Sequence, residues 1–87
     1  MTPLATADTA ASPRLSPAAP ERLSPAAPSL WRVVAPSGLI IGHLQSIADA
    51  AGVRYRARRF RSSSRSFVDV GDFWSADDAV TCLRSAT

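Results

Sequence analysis

Val53-Arg54-Tyr55-Arg56-Ala57-Arg58-Arg59-Phe60-Arg61, followed by Ser62-Ser63-Ser64-Arg65, is the stretch that decides how this chain folds. Alternation at period two sends Val53, Tyr55 and Ala57 to one side of a strand and Arg54, Arg56 and Arg58 to the other. The segment therefore predicts a strand with an apolar core side and a cationic outer side. Its alternation breaks at Arg58-Arg59, where either a one-residue bulge returns Phe60 to the core side and Arg61 to the outer side or the strand is expected to end early. Residues 53–68 hold Arg54, Arg56, Arg58, Arg59, Arg61 and Arg65 and no carboxylate, although the whole chain carries a formal net charge of only +3. Charge concentrated in this way steers an anionic partner, which a diffuse surplus does not.

Downstream, Ser62-Ser63-Ser64 supplies a turn, residues 66–70 a final strand, and Gly71 the expected end of the sheet. Ser75-Ala76-Asp77-Asp78 then opens a helix: the Ser75 hydroxyl is placed to accept from the Asp78 amide, and two carboxylates sit at the positive end of the dipole. Ala76, Ala79, Val80 and Leu83 recur at i, i+3, i+4 and i+7, which gives one apolar stripe to lay on the sheet. Upstream, Trp31, Val33 and Ala35 alternate with Arg32 and Val34 before Pro36-Ser37-Gly38, where proline presets φ and glycine is free to take positive φ. That is a hairpin signal, with a returning strand from Leu39 to Leu44 or Gln45 and then, over residues 46–52, a loop or alternatively a short helical turn started by Gln45 and Asp49.

Six of the seven prolines fall in residues 1–28, and Arg-Leu-Ser-Pro-Ala-Ala-Pro occurs at 14–20 and again at 22–28. The eight-residue period is too short and too proline-rich for a solenoid, so residues 1–29 are expected to form a disordered Pro/Ala/Ser-rich tail. Residues 30–87 are then the folded domain. The fold class expected is α+β, a small antiparallel sheet of three to four strands packed against one C-terminal helix. A domain of this size buries only about 60% of the surface its unfolded chain exposes, which leaves little room for a deep catalytic pocket and favours oligomerisation.

All ten basic residues are arginine, and there is one cysteine, Cys82. A lone cysteine permits no intramolecular disulfide and fits a reducing cytoplasm. No basic residue precedes Arg14, no apolar run is long enough for a signal peptide, and the Leu39-Ile40-Ile41 stretch is too short to span a bilayer, so no membrane association is expected. His43 stands alone between Gly42 and Leu44 and reads as structural, as does Cys82 beside the helix stripe. Trp31, Phe73 and Trp74 read as core or helix-staple residues. No phosphate-binding Gly-Lys-Ser/Thr loop, metal-ligand cluster, cofactor motif or acid–base pair is present, which argues for a protein without enzymatic activity, cofactor or metal.

At Tyr55-Arg56-Ala57-Arg58, Val70-Gly71-Asp72-Phe73 and Ser75-Ala76-Asp77-Asp78-Ala79 the chain resembles the three-strand-plus-helix DNA-binding modules of tyrosine integrases and plant ethylene-response factors, over residues 53–85. In those families the sheet lies in the major groove and strand arginines contact DNA. The resemblance thus implicates Arg54, Arg56, Arg58 and Arg61. Trp31-Arg32-Val33, Ile41-Gly42-His43-Leu44 and Gly71-Asp72-Phe73-Trp74-Ser75 also look like short actinobacterial-type proteins that sometimes carry a mismatch-repair label, although no residue here supplies repair chemistry.

Two partner classes follow. Duplex DNA would meet Arg54, Arg56, Arg58, Arg59, Arg61 and Arg65 through phosphates or the major groove. Alternatively the cationic sheet meets an acidic protein partner, or an exposed strand edge pairs in a homo-oligomer.

Overall fold

The computed structural model describes residues 13–86. Five strands follow one another in chain order as an antiparallel meander: β1 (Arg22–Ala27), β2 (Leu30–Val34), β3 (Ile40–Asp49), β4 (Gly52–Arg61) and β5 (Ser66–Phe73). A single helix, α1 (Ala76–Ala86), closes the fold. The α+β class agrees with the sequence reading, but the sheet has five strands instead of three to four.

The extra strand comes from the expected tail. Residues 22–27, the second copy of the repeat, pair with β2 in the register Leu23↔Val33 and Pro25↔Trp31. Proline is tolerated there because β1 is an edge strand, and a register irregularity between Pro25 and Ala27 accommodates it. Residues 13–21 also belong to the domain: Leu15 packs against the core, and the Ser16 amide donates to Asp77 Oδ1 at 2.9 Å. The boundary expected at residue 29 is thus corrected for residues 13–29, while residues 1–12 of that segment lie outside the described residues.

Val33, Leu44 and Ala57 are fully buried on one face of the sheet, against Ala76, Ala79, Val80 and Leu83 of α1. Strand pairing carries this face across the molecule, with Val33 opposite Gly42, Leu44 opposite Ala57 and Ala57 opposite Gly71. Gly42 permits the helix to lie close, since a Cβ there would stand 2.7 Å and 2.9 Å from the Leu83 methyl carbons. The helix begins as expected, with the Asp78 amide donating to Ser75 Oγ at 3.0 Å.

Three expectations about the strands are corrected. Residues 46–49 are not loop, because β3 continues to Asp49, with Ser46 buried opposite Tyr55. β5 runs through Gly71 to Phe73. The bulge lies in β5 and not in β4: Ala57 pairs with Gly71 while Arg58 pairs with Asp69, which leaves Val70 as the extra residue. Alternation in β4 therefore continues unbroken and keeps Phe60 on the arginine side, 52% exposed, against the expected return to the core. Trp74 is likewise no core residue. It follows Phe73, which takes the helix-facing position, and it is 65% exposed at the β5–α1 junction.

Candidate nucleic-acid interface

The face opposite α1 holds the arginine row, and the register shift in β5 determines what that row meets. Asp69 and Asp72 are three residues apart, a spacing that puts them on opposite sides of a regular strand. The extra residue Val70 brings both to the same side, opposite Arg58 and Arg56. Asp49, at the end of β3, lies beside Arg54 at the other end of the row.

An ion-pair ladder results. Asp49 Oδ2 accepts from Arg54 Nη2 at 2.9 Å. Asp72 accepts two hydrogen bonds from Arg56, from Nε at 2.8 Å and Nη2 at 3.0 Å, the forked geometry for which guanidinium and carboxylate are matched. Asp69 Oδ1 accepts from Arg58 Nε at 2.9 Å, and Gln45 Oε1 accepts from Arg58 Nη1 at 3.2 Å. Contacts of 3.8 Å from Arg54 to Asp72 and from Arg56 to Asp69 tie the rungs together. The hydrogen bond from Arg56 holds the Asp72 carboxyl below its ordinary range, against a smaller opposing effect of burial. Arg54, Arg56 and Arg58, the three positions most strongly indicated by the alternation, are thus engaged by three carboxylates.

The other three candidates behave differently. Beyond the His43↔Arg58 pair, β4 no longer pairs with β3, and β4 and β5 continue as a two-stranded ribbon through Arg59↔Val68, Phe60↔Phe67 and Arg61↔Ser66. Arg59, Arg61 and Arg65 are exposed on this ribbon, and none has an ion-pair partner among the described residues. Arg65 occupies the turn at φ 51°, where its amide donates to the Ser62 carbonyl at 3.3 Å.

Phe60, expected on the core side, joins Phe67 and His43 to complete the surface. Phe67 packs edge-on to Phe60 at 5.6 Å and to His43 at 4.9 Å, and the Arg58 guanidinium lies 4.9 Å over the Phe67 ring. The His43 pKa is lowered from its ordinary 6.5, first by burial and then by Arg32 and Arg58. His43 Nδ1 is buried with no hydrogen-bond partner among the described residues. Where β3 and β4 separate, Leu39, Ile40, Ile41, Gly42, His43, Arg59 and Phe60 line a cleft of about 370 Å³. The signal for this grouping was present only as alternation: Phe60 shares its parity with Arg54, Arg56 and Arg58.

Among the described residues no helix is long and apolar enough to cross a membrane. Comparison with known proteins finds no matching family model, curated protein or solved structure.

Proposed function

We propose that this domain is a non-enzymatic nucleic-acid-binding module whose phosphate contacts come from Arg59, Arg61 and Arg65 on the β4–β5 ribbon. The observation that carries the reading is the division of the six clustered arginines into three held by carboxylates and three exposed on the ribbon without one. An arginine already committed to a bidentate aspartate gives up that pair to reach a phosphate, whereas an unpaired one only releases solvent and counterions. A two-stranded ribbon is also narrow enough to enter a groove or to be wrapped by a strand. The resemblance of the basic strand to integrase-type and ethylene-response modules supports the same class of partner, with the contacts moved outward from Arg54, Arg56 and Arg58. Those three then act mainly to hold β4 to its two neighbours, Arg54 to β3 through Asp49, Arg56 to β5 through Asp72, and Arg58 to β5 through Asp69 and to β3 through Gln45.

Fluorescence anisotropy with duplex and single-stranded DNA at two salt concentrations tests the proposal. Binding that weakens with salt is expected, together with its loss on replacing Arg59, Arg61 and Arg65 by Gln. The exposed apolar side chains of Leu39, Ile40 and Val68 favour a second reading, a protein-interaction surface. Absence of any salt-dependent nucleic-acid binding would put that reading ahead.

A further inference from the structure

The proposed nucleic-acid function leaves open which form of polymer fits, and the cleft between β3 and β4 bears on it. Arg59 and Phe60 project to opposite sides of the ribbon, yet both line this cleft because β4 has parted from β3. Ile40 and Leu39, 48% and 65% exposed, line the cleft together with Phe60. His43 lines the same cleft. Apolar side chains, an exposed aromatic ring and a guanidinium without a carboxylate partner among the described residues together suit a flat ring attached to an anionic backbone.

We infer that the cleft receives an unstacked base of a single-stranded nucleic acid, stacked on Phe60, with Arg59 at the adjoining phosphate. A base within a duplex offers only its edge, and its faces are covered by its neighbours. An unstacked base exposes the face that an aromatic side chain binds, and such stacking tolerates any sequence. Arg58 lies over the Phe67 ring, whereas among the described residues no cation lies over Phe60, so Phe60 is the ring left for a base. Its 52% exposure leaves the ring accessible to a base.

The inference rests on the function proposed above, and three probes separate the two. The full chain is titrated with oligothymidylate of about 12 nucleotides, with an abasic strand of the same length and charge, and with a duplex of that length. Oligothymidylate should bind about tenfold or more tighter than the abasic strand. Phe60→Leu should reduce oligothymidylate to the abasic level while leaving abasic and duplex affinities unchanged, and Phe60→Trp should preserve the preference. Circular dichroism verifies the fold of each variant, and Phe60→Trp keeps the comparison decisive if Phe60→Leu does not fold. Equal binding of thymidylate and abasic strands by the wild-type chain, a preference retained in Phe60→Leu, or one lost in a folded Phe60→Trp, overturns base stacking while the phosphate-binding function stands. No binding of any of the three probes overturns both.

Discussion

Glu21 accepts two hydrogen bonds from Arg84, both at 2.7 Å, and so ties the residue just before β1 to the last turn of α1. Glu21 is only 7% exposed, and its carboxylate is the buried end of a pair whose guanidinium remains partly in solvent. Of the two identical repeat copies, the one that enters the sheet follows Glu21, whereas the other follows Pro13. The acid therefore anchors the copy that becomes β1.

The pair predicts a dependence on acid. Hydrogen bonding from Arg84 lowers the Glu21 pKa from 4.5, with burial opposing it less strongly. A carboxyl whose folded pKa is depressed contributes stability that is complete above its unfolded value and lost as pH falls through the folded value. Asp72 acts in the same direction through Arg56, and the lowered His43 pKa adds a loss that begins near 6.5. Denaturant midpoints followed from neutral pH downward should therefore fall in two stages. Glu21→Gln should be less stable at neutral pH and show a flatter decline below about 4.5. Identical midpoints for the two proteins at neutral pH would remove Glu21 from the account.

Truncation provides a second prediction. A chain beginning at Leu30 loses β1, Leu15, Leu23 and Glu21, and uncovers the edge of β2 beside Val33. It should melt at a lower temperature or show no cooperative transition, whereas a chain beginning at Pro13 keeps every described contact of β1 and should retain a cooperative transition. Equal melting of the Leu30 chain would mean that β1 contributes nothing to the core.

Helix-to-sheet contact provides a third. An added methyl at Gly42 would stand 2.9 Å from the Arg58 carbonyl oxygen as well as against Leu83, and backbone cannot swing aside as a side-chain end can. Gly42→Ala should cost about 1–3 kcal/mol by overpacking. Leu83→Ala, which empties a fully buried site, should cost about 2–5 kcal/mol. The double variant should be less destabilised than the sum, because the smaller side chain relieves one of the two clashes. Strict additivity in urea melts would show that Gly42 and Leu83 do not share a contact.

The residues explain which parts of the fold were legible. Ser75, the helix stripe, the Pro36-Ser37-Gly38 turn and the alternation of β4 are local signals, and Gly38 does take positive φ, at 91°. β1 was not legible, because Arg-Leu-Ser-Pro-Ala-Ala has no strand propensity of its own and pairs only where β2 offers an edge. The ion-pair ladder was hidden for a related reason. Asp69 and Asp72 share a face only through the extra residue Val70, and the position of a bulge is a property of two paired strands, not of either sequence alone. Of the six arginines chosen from the sequence, all lie on β4 or the turn beyond it, but their pairing state depends on that register.

The division of the arginines yields the prediction that most directly tests function. Replacing Arg59, Arg61 and Arg65 by Gln removes no described ion pair, so the melting curve should remain close to that of the wild type. Replacing Arg54, Arg56 and Arg58 by Gln leaves Asp49, Asp69 and Asp72 without their partners on one sheet face, so this variant should be the less stable of the two. Binding should show the opposite order. Loss of three phosphate contacts flattens the plot of log K against log salt concentration by about 2.7 on duplex DNA, or about 2.1 on a single strand. The ribbon variant should show that flattening, and the ladder variant should retain most of the wild-type slope. If the ladder variant instead loses the slope and the ribbon variant keeps it, the aspartates release their arginines to the nucleic acid, and the phosphate contacts belong to the open sheet face and not to the ribbon.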